Sequence, residues 1–455
     1  MAADVALWPA HRLAEGIRRR EFSSREMLEL YLDRIERLNP PLNAVVSLDP
    51  DGARGAADAA DAAVARGDAI GPLHGVPMTV KDTFDTAGLR TTCGVPAWDR
   101  VPDRDAEAVA RLRAAGAVIF GKTNVPAMAG DWQTFNPIFG VTNNPWDTAR
   151  STGGSSGGAA AALAAGLTAL ELGSDIAGSI RLPSNWCGVY GHKPSWGLVP
   201  QLGHLPPPPG ALSAADLAVM GPLARDVADL ELALDVVAGP DAADATAWRL
   251  DLPPARASNL ARMRVATWLD DPSYPVEPEV AAVLQSAVAA LTGAGANVVD
   301  DEPPVGLPEV VRLHMELLYP LMDPTSPLRH REWLAANERR ARIRAQMADY
   351  FRQVDALLMP VAMMPAIAHD HLEPMADRVL ALADGSRSYL DLFGWVGLPT
   401  VAYLPATAVP VGRTAGGLPV GIQVVGPYLE DRTTLAVARG IERVLGGFVA
   451  PRVEG

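Results

Sequence analysis

The chain has 455 residues, and its 39 basic and 53 acidic side chains leave a formal net charge of −14. A chain of this length folds to roughly 16,000 Å² of surface from roughly 70,000 Å² unfolded, so a large core is available without disulfides or structural metals. With 49% hydrophobic and 20% charged residues it is neither a disordered nor a membrane-type chain, and the acidic balance argues against nucleic acid as a partner.

In chain order, the first element is an amphipathic helix opened by a capping box, Ser23 with Glu26, carrying Met27, Leu30, Tyr31 and Ile35 on one face as far as Asn39-Pro40. An alanine-rich helix follows over about 51–66 and stops at Gly67. A Gly/Pro turn at 71–75 leads into a short apolar strand, Val76 to Val80, with Lys81-Asp82 at its end; a helix over 105–115 and a strand over 117–120 make a further α/β step. The segment 151–158, STGGSSGG, reads as a loop before a small-residue helix over 159–165. Beyond Gly166 a strand over 167–172 enters a second Gly/Ser turn, 173–179. Strand, helix and strand patterns recur at 264–269, 277–291 and 297–299, and further strands at 356–359 and 421–425. The proline run 206–209 reads as a stiff surface loop, and Arg18 to Arg20 and Arg339 to Arg344 as solvated helix faces. No composition shift marks a linker, so one α/β domain without internal repeats is expected. No apolar run is long enough to span a bilayer. The absence of a basic leader with an apolar core, and the presence of only Cys93 and Cys187, point to the cytoplasm.

Three familiar patterns fail on physical grounds. GAVIFGKT at 116–123 satisfies the P-loop expression, but its centre is an apolar strand that cannot wrap a phosphate. GGSSG at 153–157 fits a nucleophile elbow, yet polar residues 147–151 precede it, and the histidines such a triad needs, His314, His330, His369 and His371, have no assigned place. His369-Asp370-His371 offers only two metal ligands in a polar stretch, so no metal or other cofactor is expected.

A stronger signal lies in the basic residues, of which only Lys81, Lys122 and Lys193 are lysine. Where arginine serves nearly every cationic task, a surviving lysine is a candidate for losing its proton. A serine hydroxyl needs a base, and a lysine desolvated at the end of an apolar strand can be one. Lys81 sits at such an end, and the turns centred on Ser155 and Ser179 could complete a relay of two hydroxyls. The second turn also offers consecutive amides, Ile176, Ala177, Gly178 and Ser179, to hold an oxyanion.

These residues resemble a known family. GGSSGGAAAALAAG (153–166) and ELGSDIAGSIRLPSNWCGVYGHKPS (171–195) are similar to the signature region of the amidase signature family of Ser-cisSer-Lys hydrolases. The likeness continues in GPLHGVPMTVKD (71–82), GKTNVP (121–126), FGVTNNPWD (139–147), GPLARDVADL (221–230), DALLMP (355–360) and GLPVGIQVVGPY (417–428). It implies a single domain with a large central mixed β-sheet flanked by helices. The signature core covers about 71–235, a less typical segment 236–350, and a C-terminal core segment about 355–435. It further implies Ser179 as the acyl-forming nucleophile, Ser155 as the bridging serine after a cis peptide bond, and Lys81 as the base. Ser156, Asp175 and Arg181 are implied as loop anchors, and Lys122 and Lys193 as structural. The family commonly has Gly-Gly before the nucleophile where this chain has Ala177-Gly178; a positive φ at 177 would strain the alanine, and otherwise its methyl narrows the acyl site.

The pocket is expected among Met128, Ala129, Asp131, Trp132, Trp186, Tyr190 and Trp395, although each aromatic suits a core equally well. Few cations flank these positions, which favours a neutral, apolar or aryl amide, with esters and carbamates (urethanes) as related substrates. Small molecules are thus the expected partners, without nucleic acid or membrane insertion, and a homodimer is an open assembly state. Two alternatives stand beside this reading: a glutamine amidotransferase A-type subunit working in a complex, and a non-catalytic binding protein on the same fold.

Overall fold

The capping box forms: Ser23 Oγ accepts from Glu26 N at 3.0 Å, and Ser23 N donates to the Glu26 carboxylate at 2.7 Å. The computed structural model describes residues 5–322, 325–383 and 385–453. Helices α1 (Ala10–Arg18) and α2 (Ser24–Leu38) precede strand β1 (Val45–Leu48), and α3 (Pro50–Arg66) ends on the left-handed Gly67. Strand β2 (Pro77–Lys81), helix α4 (Glu107–Ala114) and strand β3 (Val118–Thr123) follow close to the expected bounds. These strands form a small sheet in the order β1-β3-β2, with β2 and β3 parallel. All five residues of β2 are buried, as befits a strand covered on both faces.

After α5 (Gly157–Ala164), strand β4 covers Glu171–Asp175 rather than 167–172. The apolar run ends too early as a guide, because polar residues inside this strand find partners on β2. The remaining chain supplies α6 (Arg181–Cys187), β5 (Tyr190–Lys193), β6 (Val219–Ala224), α7 (Val227–Val237), β7 (Arg264–Thr267), α8 (Pro278–Gly293), β8 (Asn297–Asp300), α9 (Leu307–Met322), α10 (His330–Tyr350), β9 (Ala356–Pro360), α11 (Phe393–Val401), β10 (Ala406–Arg413), β11 (Pro419–Val425) and α12 (Asp431–Leu445). Eight strands make one mixed sheet in the order β8-β7-β9-β11-β10-β5-β6-β4. Only β7 pairs in parallel, with β8 and β9; the other neighbours are antiparallel. The architecture is α/β with a large mixed sheet flanked by helices, as the resemblance implies. None of the described helices is long and apolar enough to cross a membrane.

Helix α5 is buried on every side, which its sequence GGAAAALA permits. A Cβ on Gly158 would stand 2.3 Å from the Asn124 amide nitrogen, so only glycine lets the helix start press against the end of β3. One core cluster packs α2, α3 and α4 on the small sheet, and a second packs α9, α10 and α11 around Trp132, Trp186 and Trp395.

Candidate active site

Strand β2 abuts β4 through polar contacts. Thr79 N donates to Thr168 Oγ1 at 3.0 Å and Thr79 Oγ1 donates to Glu171, whose carboxyl is pushed up to about 8 by burial. This alignment brings Lys81, the last residue of β2, to Ser174 near the end of β4. Its Nζ donates to Ser174 Oγ at 3.0 Å and to Ser155 Oγ at 2.7 Å. The amine is fully buried, and desolvation brings its pKa down to about 7 despite the favourable field of the Asp175 carboxylate. Lys193 is likewise brought down to about 7 by burial, but among the described residues its Nζ reaches only the Pro194 carbonyl. Lys122 donates to Phe84 O, Thr86 Oγ1 and Thr91 Oγ1, beside Asp82. Geometry therefore separates the three lysines: only Lys81 meets two serine hydroxyls.

The two serine turns are tied directly. Ser156 N donates to Ser179 O at 3.1 Å, and the Gly154–Ser155 peptide bond is cis. Asp175 caps the second turn, accepting from Gly178 N at 2.8 Å and Ile180 N at 3.1 Å. Burial would raise this carboxyl, yet the Arg181 guanidinium, 3.0 Å away, holds it well below the usual carboxylate range. The Gly178 amide is therefore already committed, which corrects the expectation that it faces an oxyanion. Among the described residues the amides of Ile176, Ala177 and Ser179 donate to no protein acceptor. Two of these peptide units are held from the carbonyl side: His314 Nε2 donates to Ile176 O at 2.9 Å, on the unit of the Ala177 amide, and Leu182 N donates to Gly178 O at 2.7 Å, on that of the Ser179 amide, while Trp132 Nε1 donates at 2.7 Å to Ala177 O between them. The left-handed residue is Gly178 (φ 91), not Ala177, so the alanine is accommodated without backbone strain and lines a chamber together with Ser179.

Two chambers meet at Ser179. The first, about 150 Å³, is walled by Trp132, Ala177, Met315, Leu318, Met375 and Phe393 among others. The second, about 170 Å³, holds Ser155 and Ser174 with Met128, His204, Pro206, Pro207 and Ala215. Ala129, Ile176 and Ser179 belong to both. Ser155 and Ser179 thus open onto one space, although no direct hydrogen bond joins their hydroxyls among the described residues. Asp131 borders the first chamber, but its carboxylate is taken by Arg378 Nη1 at 2.6 Å and Tyr389 OH at 2.8 Å.

Three expected pocket aromatics are corrected. Trp186 is fully buried with Nε1 on Met364 O, Trp395 donates to Tyr274 O, and Tyr190 lies inside the sheet on β5; none lines either chamber. Each is buried in the core, Tyr190 in the first cluster and Trp186 and Trp395 in the second, where its large area is hidden from water. Gly178 lines neither chamber. The proline run is likewise more than surface, since Pro206 and Pro207 wall the second chamber.

Sequence reasoning missed Ser174, His204 and the wall from α9, Met375 and Phe393. Ser174 stands in the same short motif as Asp175 and could have been read from it; α9 lies where the family likeness is weakest. Of the unplaced histidines, His330 is exposed, and His369 and His371 lie together in a separate surface region, 5.5 Å between ring centres. Residues 147–151, expected as loop, form a short strand with Asn143–Asn144. Among the described residues one cluster has metal-ligand spacing, His11, Asp226 and Asp229, away from both chambers. There Asp229 already accepts from Ala10 N and His11 N at the start of α1.

The Amidase family model matches residues 26–321 and 305–435. The chain is 33% identical over 476 residues to the A component of the glutamyl-tRNA(Gln) amidotransferase of Thermosynechococcus vestitus, covering 93% of this chain and 95% of that one. It is 34% identical over 468 residues to an acylamidase of Rhodococcus erythropolis, covering 96% and 95%. A solved bacterial aryl acylamidase of the amidase signature family aligns with a TM-score of 0.83 at 25% identity, over 96% of each chain.

Proposed function

Because the chain belongs to the amidase signature family and is an amide-cleaving hydrolase, we propose that it cleaves neutral, apolar or aryl amides through an acyl-enzyme on Ser179. Neutral Lys81 takes a proton through Ser155 as Ser179 Oγ attacks the carbonyl; on the free amine the 2.7 Å contact runs from hydroxyl to nitrogen. The amides of Ile176, Ala177 and Ser179 receive the negative charge on the carbonyl oxygen. The relay then returns the proton to the leaving nitrogen, so the amine departs on the Ser155 side, into the second chamber. The acyl group lies in the first. Water repeats the addition, and the acid leaves.

The observation carrying the substrate class is that, among the described residues, neither chamber offers a free charge. The carboxylates on their walls there, Asp131 and Asp175, are each paired with a buried guanidinium. An apolar or aryl acyl group meets mainly carbon in the first chamber, whereas a zwitterion would be desolvated without a partner. That weighs against the second reading, a glutamine amidotransferase A-type subunit, which the likeness to the Thermosynechococcus protein favours. Two buried, unpaired cysteines support a cytoplasmic setting.

A panel of apolar amides, anilides, esters, carbamates and glutamine, assayed with the wild type and Ser179→Ala, tests the proposal. At least one uncharged amide or anilide should be hydrolysed and glutamine should not. Ser179→Ala should lower turnover by a factor of about a thousand or more. Glutaminase activity with copurifying partner chains would establish the second reading instead, and unchanged turnover in Ser179→Ala would remove the nucleophile.

A further inference from the structure

Helix α9 carries two kinds of side chain to the site. Met315, Leu318 and Tyr319 wall the first chamber. His314, fully buried, turns to the second serine turn and bonds Ile176 O at 2.9 Å through Nε2. A carbonyl only accepts, so Nε2 carries the proton and Nδ1 holds a lone pair. Nδ1 is buried and has no partner among the described residues. The ring is neutral, since burial brings its pKa down to about 4.

A half-satisfied imidazole is a poor core residue, because a leucine or phenylalanine would fill the space without burying a bare nitrogen. The one bond it does make is therefore the feature to explain. Ile176 C=O and Ala177 N–H are the two ends of one planar peptide. Fixing the oxygen fixes the direction of the N–H, and donation to the oxygen polarises the same amide. The ring also meets Phe393 edge-on at 4.9 Å, and Phe393 meets Trp132 at 4.7 Å, whose indole holds the next carbonyl, Ala177 O.

We propose that His314 is a positioning residue for the reaction: its Nε2–H holds the Ile176–Ala177 peptide so that the Ala177 amide points at the developing oxyanion. The proposal rests on the reading of this turn as the oxyanion site. It also places acyl contact and oxyanion alignment on one helix, so acyl groups that press on Met315 and Leu318 bear on the same element that sets the amide.

The test compares His314→Gln, which can still donate, with His314→Phe, which keeps the aromatic contact but cannot, and with His314→Leu. The Phe and Leu variants should lose about 10- to 100-fold in kcat with KM within about twofold, while Gln stays within about threefold of wild type. A trifluoromethyl ketone supplies a second readout. Ser179 Oγ adds to its carbonyl carbon, the C=O pair becomes an alkoxide in the oxyanion site, and the hydroxyl proton passes to the relay. Its inhibition constant should weaken in step with kcat/KM, whereas substrate affinity measured on the Ser179→Ala background should be the same with or without His314→Phe. Equal kcat in the Gln and Phe variants, or a loss carried by KM, would overturn the proposal. Should the Leu variant fail to fold, the Gln and Phe pair still decides. Unchanged turnover in Ser179→Ala alone would fault the nucleophile and not His314.

Discussion

At neutral pH the ammonium and free-amine forms of Lys81 are nearly balanced, since burial brings its pKa to about 7. As the proposed base it works unprotonated, so kcat/KM should rise with pH through a limb centred near 7 and level off above it, measurable as a pH–rate profile. Lys81→Arg, unable to shed its proton, should show no such limb and almost no activity. The same shift bears on folding. The unfolded lysine titrates near 10.4 and the folded one near 7, so between these values the unfolded chain binds more protons and stability rises with pH. Lys81→Met should therefore stabilise the fold at pH 7 by roughly 1–3 kcal/mol and flatten its pH dependence between about 7 and 10, as read by urea titration. This residue was legible because arginine bias made its lysine stand out at a strand end. Its partner Ser174, although it stands in the same motif as Asp175, did not stand out in this way, because only the apposition of β2 and β4 shows its hydroxyl meeting the amine.

The second serine turn is the element that carries most of the site. Gly178 takes a φ of 91, and a Cβ there would stand 2.8 Å from a Val396 methyl carbon. Gly178→Ala should cost about 1–3 kcal/mol in thermal or chemical unfolding and lower kcat as the turn is displaced. Ala177→Gly, where no left-handed backbone is needed, should cost less than about 1 kcal/mol and widen the range of acyl groups hydrolysed. The sequence pattern located the turn, while the division of its amides depended on a side chain. Asp175 consumes the Gly178 amide and leaves those on either side. Aromatic positions were harder to read. Trp132 reached the chamber, whereas Trp186, Tyr190 and Trp395 went to the core, because composition measures the wish to leave water and not the direction of burial.

Across the whole molecule, Arg181 links the signature turn to the C-terminal third. Besides Asp175 it donates to Val396 O, Gln423 Oε1 and Thr400 Oγ1, all at about 3 Å and all buried. Arg181→Met strands a buried carboxylate and should destabilise the fold by about 3–5 kcal/mol, measurable by calorimetry, with activity lost together with the turn. Periodicity and motif spacing determined the α/β class, the course of β2 and β3, and the selection of Lys81, Ser155 and Ser179 as candidates, because these depend on local chemistry and on short stretches of chain. Only the tertiary structure decided that β4 runs through Glu171–Asp175, that α9 walls the first chamber, that Asp131 is neutralised by Arg378, and that His314 holds a turn 138 residues away. Each of those depends on which surfaces meet when distant segments bury one another, and that pairing is written in no single stretch of the chain.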